Sequence, residues 1–114
     1  MTAETRYAEL VEHFRFRRNV SQVTEGKGFG SSGQLRVDAR IFAMLVRGEL
    51  VLKLPRKRVD ELVKRNAGRR FDAGKRTPMR EWFVLSPASR QPWIALAQEA
   101  LDFVEGKSRD LVAR

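Results

Sequence analysis

The chain contains no cysteine and only one histidine, His13. It therefore has no disulfide framework, no thiolate nucleophile and no sulfur-ligated metal. A multi-histidine metal site is excluded too, as is a serine triad needing a second imidazole, which leaves carboxylate, lysine or hydroxyl chemistry. No run of about 18 apolar residues is present, so no segment is expected to span a bilayer. Residues Met1 to Tyr7 lack both the basic start and the apolar block of a secretory signal. The expectation is a cytoplasmic, non-enzymatic protein with no catalytic residue, no metal and no cofactor.

What is present suits one folded unit. The 114 residues are 42% hydrophobic and 32% charged, the balance of a well-solvated domain with one core. A single domain over residues 1–114 is expected, with its core at about 5–105 and a charged tail at 106–114. The formal net charge is +9, and it is unevenly spread: residues 1–52 contribute +2, residues 53–80 contribute +8 and residues 81–114 contribute −1. Such an excess attracts anionic partners without requiring shape complementarity.

Tyr7, Leu10, Val11 and Phe14 recur at helical spacing, and Arg15, Arg17 and Arg18 suit the carboxyl end of a helix that stops near Asn19. Ser21 to Gly33 holds four glycines and reads as a loop with one short strand at most. From Gln34 the period becomes two. Leu35 and Val37 alternate with polar residues, Asp38-Ala39 and Arg47-Gly48 make two tight turns, and the strands around Ile41–Val46 and Leu50–Leu54 complete an antiparallel meander. Pro55 opens a helix carrying Val59, Leu62 and Val63, which Gly68 is expected to close. Phe71 fits a short strand and Trp82–Leu85 a strongly apolar one. A last helix from about Pro92 carries Trp93, Leu96, Ala97, Ala100, Leu101 and Val104, with Gly106 as its expected end.

The predicted class is α+β: a two-layer α/β arrangement on an antiparallel sheet, in the order α-β(3)-α-β(1-2)-α. Ile41–Val46 and Trp82–Leu85 are apolar on both faces, whereas a sheet with one wet side alternates. Helices on both faces or a second copy of the chain would cover the extra face, and a homodimer is the favoured expectation.

Several residues together resemble the N-terminal domain family of the competence regulator TfoX (Sxy). They are Gly28-Phe29-Gly30, Arg40 to Leu45, Gly48 to Lys53, Phe71, the run Pro78-Met79-Arg80-Glu81-Trp82, and Ala100-Leu101 near the end. YjbR-type domains are a near neighbour. The resemblance covers roughly residues 7–104 and implies a two-layer fold of the kind seen in secretion chaperones. It also implies a regulatory module that contacts nucleic acid or a regulatory protein. The family's glycine-tyrosine-glycine run is replaced here by Gly30-Ser31-Ser32-Gly33. The second helical domain of the longer regulators has no counterpart in these residues, so no role in competence is implied, and neither is any catalytic residue.

Gly28, Gly30 and Gly33 match the spacing of a dinucleotide-binding loop, but a strand pattern follows them where that motif needs a helix, so an ordinary turn is the plainer reading. The stronger lead is the basic stretch: Lys53, Arg56, Lys57, Arg58, Lys64, Arg65, Arg69, Arg70, Lys75, Arg76 and Arg80 are the candidate nucleic-acid-binding residues. Asp60 with Lys64 and Glu61 with Arg65 stand four apart in acid-first order, which would make part of this helix a salt-bridged solvated face. Arg69, Arg70, Lys75 and Arg76 have only Asp72 close in sequence and are less easily neutralised locally. Trp82 and Trp93 lie on apolar patterns that favour packing over base stacking. His13 and Phe16 lie off the apolar stripe of the first helix, and an exposed Phe16 would support an interface.

Overall fold

In the computed structural model, which describes residues 2–23, 33–71 and 79–113, Thr2 starts the first helix. Its hydroxyl oxygen accepts a hydrogen bond from the Thr5 amide at 3.1 Å, satisfying one donor that a helix start leaves over. This helix, α1, spans Ala3–Phe14 and buries Ala3, Tyr7, Leu10 and Phe14. It ends before the expected Asn19. The Arg17 amide donates to the Phe14 carbonyl and the Val20 amide to the Arg17 carbonyl, both at 3.1 Å, so the chain makes two tight turns instead. The positions that would extend the apolar stripe beyond Phe14 are Arg17 and Arg18, and a further helical turn would bury nothing apolar.

The strands are β1 (Val20–Val23), β2 (Gln34–Val37), β3 (Arg40–Val46), β4 (Glu49–Lys53), β5 (Arg69–Phe71) and β6 (Met79–Leu85). They form one antiparallel sheet in the order β1-β2-β3-β4-β6-β5. The expected meander is β2-β3-β4, and both of its turns lie in the left-handed region: φ is 51° and 67° at Asp38 and Ala39, and 51° and 76° at Arg47 and Gly48. Left-handed turns of this kind match the twist of a hairpin. β1 pairs outside the meander, so four strands precede the second helix where three were expected.

Helix α2 spans Arg56–Lys64 and α3 spans Trp93–Ala113. Neither glycine has the terminating role expected of it. Asn66, at φ 58°, closes α2, with its amide donating to Val63 at 3.0 Å and the Ala67 amide reaching back to Leu62 at 2.9 Å. Gly68 is required for another reason: a Cβ there would lie 2.3 Å from the Val84 carbonyl oxygen and 2.4 Å from the Phe83 ring. α3 continues through Gly106 to Ala113, so the expected charged tail is largely helical backbone.

One apolar cluster joins all three helices to a single face of the sheet. It includes Tyr7, Leu10 and Phe14 from α1, Val59 and Leu62 from α2, Trp93, Leu96, Ala100 and Leu101 from α3, and Phe42, Leu45, Leu50, Leu52, Phe83 and Leu85 from the strands. The architecture is therefore α+β with two layers. The other face holds a smaller cluster, Met44, Val51 and Val84, with Ile41, Val46, Phe71 and Trp82 packed against it. Its three central residues are only 1–4% exposed within one chain. Among the described residues no helix is long and apolar enough to cross a membrane.

Candidate nucleic-acid interface

The strand register fixes which charged residues share an end of the sheet. Val37 pairs with both Val20 and Arg40, and the Asn19 carbonyl accepts from the Asp38 amide at 2.9 Å. Ala43 pairs with Leu52, Lys53 pairs with Trp82, and the Leu54 amide donates to Glu81. The start of β1, the β2–β3 turn, the end of β4 and the start of β6 therefore lie together. Five exposed cations fall at this end: Arg18 before β1, Arg40 at the start of β3, Arg56 and Lys57 in the first turn of α2, and Arg80 in β6. None of the five has an ion pair among the described residues. Asp38, in the turn, is an exposed carboxylate at the same end, while the nearby Asp60 and Glu81 are engaged by Arg70 and Lys53.

The remaining candidates are mostly neutralised. Arg69 donates to both carboxylate oxygens of Glu49, at 2.8 Å from Nη1. This bond, more than the charge attraction, holds the Glu49 carboxyl below its ordinary range, against the opposing effect of burial. Arg70 donates to Asp60, which is thereby not the expected partner of Lys64. Arg58 binds Glu99 at 2.8 Å and Glu61 at 2.6 Å. Its guanidinium pKa is raised, chiefly by the hydrogen bond to Glu99. The expected Glu61–Arg65 pair forms at 3.7 Å, and Lys53 meets Glu81 at 3.4 Å with its ammonium 4.9 Å from the Trp82 ring centre. Lys64 is exposed at the far end of α2 without an ion pair among the described residues. Lys75 and Arg76 lie outside the described residues, as do Gly28 and Gly30.

The expectation that Arg69 and Arg70 lack neutralising carboxylates is thus corrected. Their carboxylates stand 20 and 10 positions away in sequence, beyond the reach of an i, i+4 reading. Pairing decides what a polyanion senses. A cation in contact with a carboxylate presents a dipole, whereas an unpaired one acts over a Debye length of about 8 Å at physiological salt. Of the eleven sequence candidates, Arg56, Lys57 and Arg80 belong to the unneutralised end. Arg18 and Arg40 were not among the candidates, because they lie in a region of nearly balanced charge and only the register brings them here.

Exposure sorts the aromatic candidates as well. Trp93 is 3% exposed, and the Arg6 guanidinium lies 4.3 Å from its ring centre. Trp82 is half-buried against the second cluster. His13 is exposed and sits edge-on to Phe14 at 4.8 Å. Phe16 is 84% exposed, and it immediately precedes Arg17 and Arg18.

An open cleft of 430 Å³ at the other end of the sheet is lined by Asn66, Gly68, Arg69, Ser86, Ser89 and Arg90 among others. Its described lining has no carboxylate, lysine or histidine, so it lacks the paired acid and base that proton-transfer chemistry requires. Among the described residues no group of three or more His, Cys, Asp or Glu side chains is placed to hold a metal ion.

Comparison with family profiles, with curated proteins and with solved structures yields no match. The case for binding therefore stands on the site itself.

Proposed function

We propose that this chain is a non-enzymatic regulatory module that binds nucleic acid through the cationic end of its sheet. The observation carrying the reading is that Arg18, Arg40, Arg56, Lys57 and Arg80, drawn from four segments, share that end without carboxylate partners among the described residues. Six strands at about 4.8 Å spacing make this end roughly 24 Å wide, which spans about seven phosphates of a strand at 3.4 Å each. The regulatory part of the reading rests on the resemblance to the TfoX family.

Five phosphate contacts would give a slope of about −4.5 in log K against log salt for duplex DNA. Anisotropy titrations of a labelled duplex between about 50 and 200 mM salt measure it. Substituting Arg40, Arg56, Lys57 and Arg80 together by alanine should reduce the slope to about −1. Absence of binding at low salt, or an unchanged slope in the variant, would overturn the proposal.

A second reading is a homodimeric protein-interaction module. The apolar cluster of Met44, Val51 and Val84 on the helix-free face favours it. Light scattering that returns the monomer mass across micromolar concentrations would reject it.

A further inference from the structure

Phe16 is the most exposed large apolar side chain among the described residues, at 84%, with Ile94 next at 37%. A singly exposed apolar residue is ordinary on a protein surface. The distinction of Phe16 lies in its surroundings. It sits in the turn that carries α1 into β1, three residues before Asn19, whose carbonyl is bonded to the Asp38 amide at the cationic end of the sheet. The Arg15 guanidinium lies 5.3 Å from its ring centre, and Arg18 follows two residues later. Arg15 is itself tied to Glu12 at 3.4 Å, so this cation steadies the ring and still leaves it open to solvent.

An exposed aromatic ring beside a cation without an ion pair among the described residues, here Arg18, is a composite that suits single-stranded nucleic acid. Cations follow the backbone, and a ring offers each unpaired base a flat surface. A duplex keeps its bases stacked on each other and cannot use such a ring without paying to unstack them. We infer that the cationic end prefers single-stranded nucleic acid, with Phe16 as the surface on which one base stacks. The inference rests on the nucleic-acid reading above and names the substrate class of the same site.

The test compares a labelled oligothymidylate of about 12 nucleotides with a duplex of equal length, a size within the range for stacking-based single-strand sites. Phe16→Ala should weaken single-strand binding about fivefold or more, leave duplex binding within twofold and leave both salt slopes unchanged. Phe16→Trp should keep single-strand affinity. Phe16→Leu, equally apolar but without a π-face, should lose it as alanine does. Circular dichroism should match the parent throughout, because the ring contributes nothing to the core. If Phe16→Ala binds the single strand like the parent while the four-cation variant does not, this inference falls and the nucleic-acid reading stands. Full affinity in Phe16→Leu would also overturn it. So would tight binding to phosphatidylserine vesicles that Phe16→Leu retains and Phe16→Ala loses, either result pointing to simple apolar insertion.

Discussion

Arg69 on β5 reaches across β6 to grip Glu49 at the start of β4 with both arms of its guanidinium. Arg69 is in register with Val84, so the pair crosses the helix-free face beside that buried residue. One side chain thus joins three strands and sets two surface charges against each other.

Replacing Arg69 by alanine should cost about 0.5–1 kcal/mol at neutral pH, the range of a well-formed surface pair. The pair keeps the folded-state Glu49 pKa below its ordinary 4.5. Its stabilisation is therefore complete above that value and lost as the pH falls through the lower folded value. Urea titrations at several pH values should show parent and variant converging in acid, and NMR titration of Glu49 should show its pKa rising in the variant. The double change Arg69→Ala with Arg70→Ala should leave the DNA salt slope within about one unit of the parent, since both cations already have partners.

Gly68 and Gly106 should respond oppositely to alanine. At Gly68 the added methyl meets a backbone carbonyl and a buried ring in β6, and the forced shift should cost about 1–3 kcal/mol. At Gly106, inside α3 with nothing within 4 Å of the new carbon, alanine should stabilise by about 0.5–1 kcal/mol through helix propensity. Chemical denaturation of the two variants checks both signs.

Arg6 donates to the carbonyls of Ser89 at 2.6 Å, Gln91 at 2.8 Å and Pro87 at 3.2 Å while lying over Trp93. Its removal should cost about 2 kcal/mol, the scale of charge-assisted hydrogen bonds. Lysine should restore little of this, because only a planar fork can serve several fixed carbonyls and a ring at once. Hydrogen exchange should show the amides around Ser89 and Gln91 becoming less protected in either variant.

Glu105 is 7% exposed on α3 and accepts from Arg17 at 3.1 Å and from Asn19. This contact fixes the turn that holds Phe16 and Arg18. Glu105→Ala leaves the Arg17 guanidinium and the half-buried Asn19 amide without it, and a loss of about 2 kcal/mol is expected in thermal or urea unfolding.

The α+β class, the meander and both of its turns were legible in the sequence. Strand periodicity, the Asp38-Ala39 and Arg47-Gly48 turns, and the apolar stripe of α1 are encoded within a few residues of each other. The ends of the helices were less legible. Asn66 rather than Gly68 closes α2 because cap geometry selects the residue that reaches the left-handed region at the right place, and Gly68 was needed by β6, which follows later in the chain.

The sequence alone determined how much positive charge this protein carries and which short segments become helix or strand, because both follow from residue identity and near neighbours. The tertiary structure decided which cations remain available. Arg58 meets Glu99 from 41 positions away and Arg69 meets Glu49 from 20, while Arg18 and Arg40 join Arg80 only when six strands align. Ion pairing acts through space over a few ångströms, and spatial neighbours at those separations are set by strand order and register rather than by sequence spacing.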